Sequence, residues 1–109
     1  MERLRDDEIS VEELKRRLNA NDPITIVDVR EPFEYRICNI GGLLIPMGSL
    51  PSKLDALKSS DEIAVICHHG NRSRRAVDFL KNRGFERARN VVGGIEAWAD
   101  RIDPTMARY

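Results

Sequence analysis

The segment Ile63-Ala64-Val65-Ile66-Cys67-His68-His69-Gly70-Asn71-Arg72-Ser73 decides the fold. Ile63 to Cys67 is an unbroken apolar run of strand length, the pattern of a strand covered on both faces in a parallel sheet. A short polar stretch containing Gly70 follows. Ser73 then opens a second pattern, with Ala76, Val77 and Leu80 at helical intervals and Gly84 as a stop. The spacing predicts strand, connection and a helix capped by Ser73. Cys67 therefore lands at the carboxyl end of a buried strand, where open α/β sheets hold their ligands.

The same alternation extends in both directions. Upstream, Ser10 and Glu13 have capping-box spacing ahead of Val11, Leu14 and Leu18, which predicts a helix over 11–20. Asn21-Asp22-Pro23 ends it, and Ile24 to Val29 reads as a buried strand. Pro32 starts a short helix through Arg36, and Leu43 to Ile45 forms a short strand. Leu50, Leu54 and Leu57 predict an amphipathic helix over 49–58. Downstream, a strand covers about Arg89 to Val92, Gly93-Gly94 turns the chain, and a helix runs from Ile95 to Arg101, with Ile95, Trp98 and Ile102 in the core or at its margin. The tail from about residue 103 is expected to fray. Strands alternating with helices imply an α/β fold, an open and mostly parallel sheet of four to five strands with helices on both faces.

A chain of 109 residues suits one domain, taken as residues 1–109. Hydrophobic residues are 41% and charged residues 33%, a globular rather than disordered balance. Lys plus Arg and Asp plus Glu number 18 each, so no global field draws in nucleic acid or an anionic membrane. No apolar run reaches the roughly 20 residues of a membrane span, and Met1 to Glu8 has no signal-like core, so a cytoplasmic location is expected. Cys38 and Cys67 match neither a zinc pattern nor a two-cysteine redox motif.

The loop after Cys67 carries the chemistry. Backbone N–H groups between a strand and a helix can wrap into a nest, and the helix start adds partial positive charge. Free cysteine titrates near ~8.5, and such surroundings favour its reactive thiolate. Arg72, Arg74 and Arg75 crowd the start of the helix, where cations oppose the macrodipole at roughly 0.3–1 kcal/mol each. An anion at Cys67 would offset that repulsion; solvent exposure of the arginines would also relieve it. A lone cysteine is more often a small buried hydrophobe, but a structural cysteine has no need of His68, His69, Gly70, Asn71, Arg72 and Ser73 beside it. The two histidines either orient an anionic donor or simply face water. Without a third ligand they make a poor metal site.

Three stretches resemble the rhodanese-type sulfurtransferases, and the resemblance covers nearly the whole chain. Val27-Asp28-Val29-Arg30-Glu31 resembles the family's first-strand signature, Cys67 to Ser73 its active loop, and Gly93-Gly94-Ile95-Glu96-Ala97-Trp98 its C-terminal motif. The resemblance implies that Cys67 becomes a persulfide cradled by the amides of residues 67–72, with His68 to Ser73 forming the anion-binding loop and Asp28 and Arg30 supporting it. It further implies a sulfane-sulfur donor such as thiosulfate, an acceptor that is cyanide in vitro or a thiol or protein in the cell, and no metal or organic cofactor. A relay or binding module that works only with a protein partner keeps the same loop.

Loop length separates this family from cysteine phosphatases and arsenate reductases, which place five residues between cysteine and arginine. Here only His68, His69, Gly70 and Asn71 intervene before Arg72, a smaller nest that favours sulfur. The chain departs from the family at Cys38-Asn39-Ile40, where Gly-His-Ile is usual. Cys38 is either a resolving thiol or an incidental buried cysteine.

Overall fold

The computed structural model describes residues 3–109. The first two positions of the Met1 to Glu8 stretch thus lie outside the described residues. Among these, five strands form one all-parallel sheet in the order β1-β5-β4-β2-β3: β1 Glu8–Ile9, β2 Ile24–Asp28, β3 Leu43–Leu44, β4 Glu62–Ile66 and β5 Ala88–Val91. β4 is central and buried at every residue. It pairs with β2 from Ile24↔Glu62 to Asp28↔Ile66 and with β5 from Ile63↔Ala88 to Val65↔Asn90.

Side chains alternate across this sheet and feed two cores. On one face Val27, Val65 and Cys67 pack with Ala76, Val77 and Leu80 of α3, Asn71–Asn82. On the other, Ile26, Ala64 and Ile66 pack with Val11 and Leu14 of α1, Val11–Asn19, and with Ile95 and Trp98 of α4, Gly94–Arg101. A short α2, Pro32–Ile37, lies between β2 and β3. The expected helices on both faces are present. No helix among the described residues is long and apolar enough to cross a membrane.

Four expectations need correction. The segment predicted as a helix over 49–58 forms two 3₁₀ turns, Met47–Ser52 and Leu54–Ala56, with i to i−3 bonds such as Lys53 N to Leu50 O at 3.1 Å. Pro51 has no N–H to donate and interrupts an α-helix there; Leu50 and Leu57 are buried all the same. The Ser73 cap is displaced by three residues: α3 begins at Asn71, capped by Gly70 at φ 103°, a conformation glycine adopts without a Cβ penalty. β1 was missed, because a two-residue strand has no periodicity to read. The tail does not fray but folds back, with Arg108 bonded to Glu96 and Asp100.

Candidate active site

The loop from Cys67 to Gly70 is held from three sides. α4 points its first free N–H groups at it: Ile95 N donates to Cys67 O at 2.9 Å and Glu96 N to His68 O at 3.0 Å. This approach requires a glycine at 94, where an added Cβ would lie 2.3 Å from Cys67 O. The glycine pair read as turn chemistry is therefore also the contact that seats α4 on the loop. From β5, Asn90 Nδ2 donates to Gly70 O at 3.2 Å. From α3, Arg74 N donates to the same carbonyl at 3.2 Å.

Inside this frame the Cys67 sulfur, 1% exposed, receives two backbone donors: Gly70 N at 3.1 Å and Ser73 N at 3.3 Å. Ser73 Oγ lies 3.2 Å from Sγ and donates to Asn90 Oδ1 at 2.5 Å. Because Asn90 Nδ2 is committed to Gly70 O, its Oδ1 faces Ser73 and takes the hydroxyl proton. The Ser73 oxygen then presents a lone pair to the sulfur, which suits a thiol S–H. On ionisation the hydroxyl can turn to donate to sulfur, joining the two N–H groups. The nest thus accommodates both protonation states of Cys67.

Charge around the loop is paired. Arg72 makes two bonds to Glu34 of α2, at 2.7 and 2.9 Å, and Arg74 two to Asp7, at 3.1 and 2.8 Å. These buried carboxylates offset the cations crowding the start of α3; Arg75 is exposed. The Arg72 guanidinium beside Glu34 holds that carboxyl down at about 2. Asp7 is likewise lowered to about 2, chiefly by Arg74.

Asp28 and Arg30 are fully buried at the end of β2. Asp28 binds Arg30 at 2.8 and 3.0 Å, and Arg30 reaches the carbonyls of Glu34 and Cys38 and the hydroxyl of Tyr109. Among the described residues no hydrogen bond joins the Asp28 carboxylate to residues 67–73. The pair supports α2, and through Glu34 the Arg72 end of the loop. Cys38 and Cys67 are free thiols in separate cores on opposite sides of the sheet.

His68 is half-buried, with its ring sandwiched between His69 at 4.0 Å and Tyr109 at 3.9 Å between centroids. Burial, aided by the neighbouring His69, lowers its pKa. Tyr109 also donates to Glu34 at 3.0 Å, and its burial pushes the phenol up to about 12. His69 and Asn71 are exposed. Sequence reasoning missed Glu34, Asn90 and Tyr109. Only Glu34 had a local signal, three residues after the Glu31 whose N–H it accepts at 3.0 Å.

The comparisons with known proteins agree with this arrangement. The family model of the rhodanese-like domain matches residues 10–101. Over 97 residues the chain is 37% identical to the putative sulfur carrier protein YrkF of Bacillus subtilis, covering 88% of this chain and 52% of that protein. It is 31% identical to the adenylyltransferase and sulfurtransferase MOCS3 of Arabidopsis thaliana, covering 93% of this chain and 25% of that one. The chain thus spans from a quarter to about half of the length of these curated relatives. A crystal structure of a rhodanese-like domain protein from Staphylococcus aureus superposes with a TM-score of 0.81 at 34% identity, covering 88% of this chain and 94% of that one. A parallel sheet with a cysteine nest at the end of its central strand, matched by that family over 10–101, makes this chain a member of the rhodanese-like domain family.

Proposed function

We propose that the protein is a sulfurtransferase that carries sulfane sulfur on Cys67. The observation that carries this reading is the pair of N–H donors, Gly70 and Ser73, aimed at a buried sulfur. Such donors stabilise a charged sulfur more than a neutral one, and a persulfide anion needs the same support. With thiosulfate as donor, the Cys67 thiolate attacks the outer sulfur. A new S–S bond forms at Cys67, the bond to the sulfonate sulfur breaks, and sulfite leaves with its electron pair. A thiolate or cyanide then attacks the terminal sulfur of the persulfide, giving a new persulfide or thiocyanate and restoring the thiolate. One transfer becomes two nucleophilic steps. Glu34 occupies the Arg72 guanidinium, which leaves that side chain unlike the free oxyanion clamp of a phosphatase.

The test is intact mass after incubation with thiosulfate. Gain of one sulfur atom that is lost on adding cyanide, and absent from Cys67→Ser, supports the reading; no gain rejects it. A relay acting only on a protein partner is favoured by the sulfur-carrier name of YrkF. Under that reading the persulfide forms but cyanide turnover stays low.

A further inference from the structure

His68 and His69 lack a third ligand in the sequence, and the fold supplies one. Because α4 docks on the loop, Glu96 in its first turn comes to His68, with Oε2 3.7 Å from Nε2. One donor atom from each of His68, His69 and Glu96 lies within 4.8 Å of the others. We propose that these three side chains form a binding site for a divalent transition-metal ion, zinc being the probe of choice, beside the Cys67 loop.

Two imidazoles and a carboxylate form the donor set with which zinc keeps a fourth, open position. Imidazole donors select against calcium and magnesium, which take oxygen shells. The Glu96 carboxylate is already divided: Oε1 accepts from Arg108 at 2.9 Å, and Oε2 is the oxygen that faces His68. Arg108 therefore orients the ligand as an outer partner does in a metal site. His68 is clamped between two rings and is the fixed donor. His69 is the movable donor. The two imidazoles are stacked with planes 24° apart, so one ion cannot lie on both lone pairs until a ring turns. The exposed His69 is free to turn.

The site does not depend on the sulfur-transfer reading, and its test removes both thiols so that neither competes for the ion. Tag-free full chain carrying Cys38→Ser and Cys67→Ser is titrated with zinc by calorimetry. One ion per chain is expected, with His69→Ala and Glu96→Gln each weakening binding by about tenfold or more. The histidine ring resonances of the parent shift with zinc, and circular dichroism verifies that each variant is folded. Absence of binding, or binding left unchanged by both substitutions, overturns the proposal. Normal persulfide formation in the unsubstituted chain, with no zinc affinity in the cysteine-free one, would reject this site alone.

Discussion

Arg72 reaches from the first turn of α3 to Glu34 on α2 and engages both carboxylate oxygens, at 2.7 and 2.9 Å. The bond joins the active loop to the segment after β2. Glu34→Gln should destabilise the protein by about 1 kcal/mol, since Arg72 is partly exposed and the pair is partly screened. The folded pKa of about 2 lies below the ordinary 4.5, so this contribution is present above 4.5 and lost as pH falls toward 2. Urea unfolding of both proteins across that range should show the difference closing in acid.

Gly94→Ala should be far more costly than Gly84→Ala. Both glycines have positive φ, but a Cβ at 94 meets Cys67 O at 2.3 Å and His68 O at 2.6 Å, whereas at 84 nothing lies within 4 Å. We expect about 2–4 kcal/mol at 94 against about 1 kcal/mol at 84, read from thermal unfolding. Sulfur loading should fall only in the former, because α4 must move off the loop.

Ser73→Ala removes the hydroxyl between Cys67 and Asn90 and leaves the buried Asn90 Oδ1 without its donor. A loss of about 1–3 kcal/mol is expected. Persulfide formation, timed by mass, should slow while remaining measurable, because the N–H donors of Gly70 and residue 73 survive.

Tyr109 covers the His68 ring, and the burial they share should shift both titrations in opposite directions. Burial lowers His68, so the folded state resists its protonation and loses stability as pH falls below 6.5. Tyr109→Ala uncovers the ring and should move the His68 midpoint, followed by NMR, upward toward 6.5. The Tyr109 phenol is raised, so the stability it contributes is present below 10 and lost as pH rises toward 12. Phenolate absorbance should show Tyr109 ionising only near 12.

What the sequence determined by itself lies within single segments. A nearly continuous apolar, β-branched run at Ile24 to Val29 and an unbroken one at Ile63 to Cys67 identified the two central strands, and with them the position of Cys67 at the end of β4. Helical spacing found α1, α3 and α4, because one buried stripe per helix leaves a local period. Neither β1, with two residues, nor the 3₁₀ turns around Pro51 leave such a trace. Tertiary structure alone decided the company Cys67 keeps. Asn90, Glu96, Glu34 and Tyr109 reach the loop from β5, α4, α2 and the tail, and their encounter depends on strand order and helix docking. It also reassigned the arginines: charges that as sequence oppose the α3 dipole are, once folded, neutralised by Glu34 and Asp7, carboxylates 38 and 67 positions away.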